Sequence, residues 1–311
     1  MSFENSAAGT PPLRGAGADL EARWLYQGSN IRIGRWRCRT VGVSRGAGPG
    51  RSLGWPQVAF LDRGVFTLHS GGRTELVDQS GALIHSPPCE FRTSHPFGSG
   101  DAGTFFAFPP EGFEELAGSR DSRRAFAGES FRIARGSVTS ECYARVRLLV
   151  ARLNQPGSMD PLEVEEVSTA LLATVLSDAP NRVRPLRPRA AALGRRRQIV
   201  ESAKEKLAAH FRRPPRLDEL PEALGISRYH LCRIFRDETG ISMHRYVNRL
   251  RLRSAFGAAI AGADLEQLAL DSGFSSHSHF TAAFRREFGA APRVVREMFE
   301  VSSWRRRAAE I

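Results

Sequence analysis

The chain has 311 residues, enough for two domains of ordinary size. Apolar residues make up 41% and aromatics 9%, which excludes a wholly disordered chain, and no run of apolar residues is long enough to span a membrane. The formal net charge is +12 and lopsided: residues 1–180 carry 19 arginines against 19 carboxylates, residues 181–311 carry 26 cations against 14. A basic half beside a neutral one points to a polyanionic partner for one half only. Cys38, Cys89, Cys142 and Cys232 form no C-x-x-C pair, and Met1–Gly17 lacks a signal pattern. A reduced, cytoplasmic protein is expected.

Residues 1–20, rich in Gly, Ala and Pro, read as a flexible N-terminal arm. From Trp24 to Phe108 short apolar runs predict strands at Ile31–Trp36, Val58–Leu61, Val65–His69, Thr74–Asp78, Ala82–His85 and Thr104–Phe108. Turn signals such as Ser70-Gly71-Gly72 and Gly98-Ser99-Gly100-Asp101 separate them. Such spacing predicts an antiparallel sandwich or small barrel. Pro110–Ala117 reads as a short helix. Ser137–Leu153 and Pro161–Ser177 carry apolar residues at helical spacing and read as a hairpin across Asn154-Gln155-Pro156-Gly157. Residues 21–178 are thus expected to form one domain, β-rich and then helical, with the helical pair either a dimer face or packed on the sheet.

Residues 179–194 hold three prolines and four arginines without an apolar face, and read as a linker. Helical periodicity resumes at Arg195, so residues 195–300 form an all-α domain and 301–311 a basic tail. The expected class is α+β and multidomain.

The helical domain repeats itself. Leu217, Leu220, Gly225 and Ser227 match Leu265, Leu268, Gly273 and Ser275 at a constant offset. One residue later in register, Leu231, Phe235, Arg236, Glu238 and Gly240 match Phe280, Phe284, Arg285, Glu287 and Gly289. Each unit reads as short helix, glycine turn, longer helix: a helix-turn-helix. Gly225 and Gly273 end the first helices, Ser227 and either Ser275 or Ser276 cap the second, and Asp264 with Gln267 resembles a capping box. The second helices are expected to bury Leu231, Ile234 and Phe235, then Phe280, Ala283, Phe284 and Phe288. Their outer faces hold Arg228, Tyr229, Cys232, Arg233 and Arg236, then His277, Ser278, Thr281, Ala282 and Arg285. Such a helix presents its N-terminal residues to base edges in the major groove. A connecting helix over about Ser242–Ala259 sets the spacing of the two, and Arg245, Arg249 and Arg253 read as a cationic stripe along it.

Residues Gln198 to Phe299 resemble the AraC/XylS family of transcription regulators. The resemblance rests on Leu268-Ala269, Ser272-Gly273-Phe274, Phe280, the run Phe284 to Pro292 and Arg296, with Gly225-Ile226-Ser227, Tyr246, Arg251-Leu252 and Ala255 upstream. It implies a sequence-specific regulator that reads promoter DNA with Arg228, Tyr229, Cys232, Arg233, His277, Ser278, Thr281 and Ala282, and clamps phosphates with Arg236, Arg285 and Arg286. It also implies a cupin-like, β-rich barrel as sensor, and as partners double-stranded DNA, RNA polymerase, a small-molecule effector and a second copy of the chain. Pro221 and Ala282 depart from the pattern: one shortens a helix start, the other removes a polar contact.

Arg233 is the foremost base reader, because bidentate arginine–guanine contacts are the commonest specific ones. Tyr229 either touches sugar or a thymine methyl, or is partly buried. His277 and His279 sit at i and i+2 and do not share a helix face, so no metal is expected there. Phe60, Phe66, His69 and Phe106 are lumen candidates, with core filling as the alternative. No catalytic site, metal or cofactor is expected. Two other readings remain: a DNA-targeted alkyl-transfer protein using Cys38, set among Arg35, Arg37 and Arg39, and a nucleoid-type binder without sensing.

Overall fold

A computed structural model describes residues 20–39, 55–70, 73–85, 91–95, 100–116, 133–155, 159–177, 184–185, 191–214 and 219–307. Nearly all of the predicted arm, most of the predicted linker, the chain's last four residues and Cys89 lie outside them. Among the described residues the N-terminal half has ten strands. They are β1 (Leu20–Gln27), β2 (Arg32–Cys38), β3 (Gln57–Gly64), β4 (Phe66–Ser70), β5 (Arg73–Val77), β6 (Gly81–His85), β7 (Arg92–Ser94), β8 (Asp101–Ala107), β9 (Ile133–Ser137) and β10 (Arg184–Pro185). They pair antiparallel into a seven-stranded sheet of order β1-β2-β8-β3-β6-β9-β10 and a three-stranded sheet of order β5-β4-β7.

Strand alternation sorts the core. On β3, Val58 and Phe60 face one way and join Ile33 and Phe106 in a cluster with the helices. Ala59 and Leu61 face the other way and pack with Phe66, Leu68 and Val77 of the smaller sheet. The helices on the first face are α1 (Pro110–Leu116), α2 (Ser140–Leu153) and α3 (Pro161–Ser177). They contribute Phe113, Tyr143, Val146, Leu149, Leu172 and Leu176, each of which removes on the order of 2 kcal/mol of apolar surface from water.

Three local expectations shift. The predicted linker, residues 179–194, already holds β10 and the start of a helix at Ala191, four residues before the expected Arg195. β1 starts at Leu20, at the end of the predicted arm, with Glu21 and Arg23 exposed on an edge strand. The helix expected from Ser137 starts at Ser140, because Thr139 caps it by accepting from the Cys142 amide at 3.1 Å, and residues 133–137 pair with β6 instead.

The C-terminal half is helical: α4 (Ala191–Ala209), α5 (Glu219–Leu224), α6 (Arg228–Thr239), α7 (Met243–Ile260), α8 (Leu265–Asp271), α9 (His277–Phe288) and α10 (Pro292–Arg307). Val200 and Leu207 of α4, Ile234 and Phe235 of α6 and Tyr246 of α7 form one core, which also takes in Val65 and Leu76 of the β half. Phe256 of α7 stacks on Phe284 of α9 at 5.6 Å and meets Tyr143 of α2 edge-on at 6.4 Å. The two halves therefore share apolar cores on both sides of α7. No helix among the described residues is long and apolar enough to cross a membrane.

Candidate nucleic-acid interface

The two units are built alike from local signals. α5 and α8 end at Gly225 and just before Gly273, with φ of +64° and +86°, a backbone region that glycine enters without strain. Ser227 caps α6 by accepting from the His230 amide, and Ser276, rather than Ser275, caps α9 by accepting from the His279 amide. α6 and α9 end on Gly240 and Gly289, again left-handed. Asp264 caps α8 through the Gln267 amide, but the Gln267 side chain bonds Asp271 instead of completing a capping box. Pro221 sits in the first turn of α5, where no intrahelical N–H is needed, and α5 is only six residues long.

On α6, Leu231, Ile234 and Phe235 are buried, while Arg228, Cys232, Arg233 and Arg236 are exposed and Tyr229 is 79% exposed. On α9, Phe280, Ala283 and Phe284 are buried and Phe288 is half-buried. His277, Ser278, Ala282, Arg285 and Arg286 are exposed and Thr281 is half-buried, its hydroxyl 3.3 Å from His277 Nε2. His279 does not point with His277; its ring stands edge-on to Phe274 at 5.3 Å. Each of the two helices thus presents the expected set on one outward face. Among the described residues, Arg233, Arg236, Arg285 and Arg286 have no ion-pair partner.

α7 holds the units apart. Eighteen residues span about 27 Å, comparable to the roughly 34 Å between successive major-groove segments on one face of B-DNA. The cationic stripe expected on it does not form. Arg245 is exposed, Arg249 is half-buried and pairs with Glu287 at 2.8 Å, and Arg253 is 1% exposed. Arg253 donates to the carbonyls of Gln79 and Val138 and lies over the Tyr143 ring. Burial lowers its pKa to about 10, which leaves it charged at neutral pH. Its position also lies on the apolar stripe Tyr246, Leu250, Phe256 and Ile260, the one sequence signal for its burial. Arg251 and Arg296 act as helix-end clamps: Arg251 donates to Phe211 and Arg212 beyond α4, Arg296 to Ala259 and Ala263 at the end of α7.

The four lumen candidates do not line one cavity: two meet and two lie elsewhere. Phe60 and Phe106 face the helices, with ring centroids 5.8 Å apart, while Phe66 faces the space between the sheets. His69 lies on the smaller sheet, bonded to Ser94 and Thr74. Phe60 and Phe106 share one face of the larger sheet, whereas Phe66 and His69 belong to the smaller sheet and, three residues apart on β4, point to opposite faces of it. Cys142 is buried, Cys38 half-buried and Cys232 exposed.

A family model described as a helix-turn-helix domain matches residues 220–298. The transcriptional regulator Rob of Salmonella typhimurium is 32% identical over 99 residues, 32% of this chain and 34% of that protein. The HTH-type transcriptional activator RhaS of Escherichia coli O139:H28 is 36% identical over 92 residues, 29% of this chain and 33% of that protein. Residues 220–298 are a helix-turn-helix domain. The chain spans about a third of the length of these curated relatives. A solved structure of ToxT from Vibrio cholerae aligns over 87% of this chain and 98% of that one, at 12% identity and a TM-score of 0.35. Within this domain both departures sit where the repeat expects a contact or a helix turn: Pro221 is buried and Ala282 exposed.

Proposed function

We propose that the protein is a sequence-specific transcription regulator without catalytic activity. Its AraC-type domain, within residues 195–300, reads promoter DNA, and residues 21–178 serve as an effector-responsive, dimerising module. The observation that carries this reading is the pair of capped helices α6 and α9, each exposing polar and cationic side chains, at the two ends of one rigid helix. Arg228, Tyr229, Cys232 and Arg233 face base edges in one groove segment, and His277, Ser278, Thr281 and Ala282 in the next. Arg236, Arg285 and Arg286 neutralise phosphates. Ala282 offers no hydrogen bond, so the second unit contributes more to affinity than to reading.

Genome-wide footprinting identifies the cognate site, and a salt titration of binding to it and to random DNA tests the reading. Cognate affinity is expected to exceed random by at least 10³, and both are expected to fall steeply with salt. Equal affinity for the two sequences overturns it. Removing one phosphate clamp, Arg285→Ala, is expected to weaken all sequences alike and to reduce the salt slope by about 1.

A further inference from the structure

We propose that Cys38, His95 and Asp101 form a binding site for a borderline-soft divalent cation of the zinc class, in the β half and apart from the DNA-reading helices. One ligand atom from each residue, a thiol sulfur, an imidazole nitrogen and a carboxylate oxygen, lies within 4.8 Å of the other two. A tetrahedral zinc ion, with bonds of about 2.0–2.3 Å, sets its ligand atoms about 3.3–3.8 Å apart. The three side chains therefore reach one ion by rotamer adjustment alone.

The fold brings them together from distant stretches of chain. Cys38 ends β2 and Asp101 opens β8, and the two are directly opposed in the antiparallel register. His95 follows β7, the edge strand of the smaller sheet, so the site lies where the two sheets meet. At Gly100, φ is +61° and an added Cβ would stand 2.4 Å from the Cys38 carbonyl oxygen, so the chain passes β2 there as closely as a backbone can.

Without an ion, His95 and Asp101 pair with each other, and the pair is buried beside the Cys38 thiol. His95 is 5% exposed and Asp101 3% exposed. Asp101 uses one oxygen to accept from Trp36 Nε1 at 2.6 Å, which fixes the carboxylate plane as an outer-shell bond does in metal sites. Its other oxygen bonds His95 Nε2, while His95 Nδ1 has no hydrogen-bond partner among the described residues. The Cys38 thiol converges on the same pair, so a sulfur, a nitrogen and an oxygen donor stand together at one point. Nitrogen, sulfur and oxygen donors together select zinc over calcium or magnesium. Three protein ligands leave a fourth position open.

The test uses the full chain, reduced, stripped with chelator and titrated with Co²⁺ as a spectroscopic probe for zinc. One equivalent is expected to bind, with a thiolate-to-cobalt charge-transfer band in the near ultraviolet and tetrahedral d–d absorption, both abolished by Zn²⁺. Cys38→Ser is expected to remove the charge-transfer band, and His95→Gln to weaken Co²⁺ binding at least tenfold. Zn²⁺ is expected to raise the melting temperature of the wild type and of neither variant. Because the readout is direct binding, it is independent of DNA recognition. Absence of a charge-transfer band in the wild type overturns the proposal, as does a band or zinc-induced shift that persists in Cys38→Ser, which would place the ion elsewhere. If Cys38→Ser fails to fold, His95→Gln alone decides: unchanged Co²⁺ affinity overturns the site.

Discussion

Tyr229 and Arg233 are exposed neighbours on α6. If Arg233 pairs with a guanine edge, Arg233→Ala costs about 1–3 kcal/mol of discrimination at one base pair and leaves the neighbouring positions unchanged. Binding to a library randomised across the footprint measures this; uniform weakening at every position would mean that Arg233 holds phosphate. His85 behaves differently because it is buried at the strand pairing of β3, β6 and β9. Burial lowers its pKa from 6.5 to about 4. Between those two values the unfolded chain binds a proton that the folded chain refuses, so stability falls as pH falls from about 6.5 towards 4. The gap is worth about 3 kcal/mol, fully present as stability above pH 6.5. Urea unfolding at pH 7 and pH 4.5 is expected to show a loss about 2–3 kcal/mol larger in the wild type than in His85→Leu. Parallel pH profiles would show that His85 titrates normally.

At the scale of elements, the two repeat glycines separate local from tertiary constraint. Gly225 and Gly273 hold the same place in their units and both have positive φ, yet nothing lies within 4 Å of a Cβ added at Gly225. At Gly273 that atom would stand 2.3 Å from the Arg212 carbonyl oxygen. Gly225→Ala is expected to cost about 1–2 kcal/mol, the left-handed penalty alone, and Gly273→Ala at least about 2 kcal/mol more. Equal losses in chemical denaturation would show that the backbone around Arg212 yields freely. This contrast also marks what a sequence can say. Caps, turn glycines and the buried faces of α6 and α9 were legible because each depends on residues within one or two turns. β9, the short run Ile133–Ser137 with a glycine inside it, carries no apolar alternation and exists only because β6 offers it a ladder. Arg253 satisfied two patterns at once, a cationic stripe and an apolar one. The choice was made by the carbonyls of Gln79 and Val138, far away in sequence. The meeting of Cys38, His95 and Asp101 had no spacing signal either, since it follows from strand register.

At the scale of the whole molecule, the +12 that separates the two halves in sequence does not separate them in space. Part of the basic half's charge is spent inside: Arg253 on carbonyls, Arg249 on Glu287, and Arg197 on Glu75 of β5. The turn between β5 and β6 is where α7 is held. Asp78 accepts the Tyr246 hydroxyl at 2.5 Å, and the next residue, Gln79, accepts from Arg253 through its carbonyl while its own side chain donates to the Asp62 carbonyl at 3.0 Å. Tyr246 and Arg253, two turns apart on the helix that carries both DNA-reading units, therefore grip adjacent residues of one β turn. Removing the hydroxyl in Tyr246→Phe leaves a buried carboxylate without that donor and is expected to cost about 1.5–3 kcal/mol. Arg253→Met leaves the Gln79 and Val138 carbonyls without donors and is expected to cost about 2–4 kcal/mol. Because the two bonds share a turn, their losses should not add. A double-mutant cycle in urea is expected to give an interaction energy of at least about 0.5 kcal/mol. Strict additivity would mean that Asp78 and Gln79 respond independently, and that the turn is no single latch. If it is one latch, any change at residues 78–80 reaches α6 and α9 through a helix that is gripped twice, and affinity for cognate DNA is expected to change in Tyr246→Phe although Tyr246 is buried and faces the β half rather than DNA.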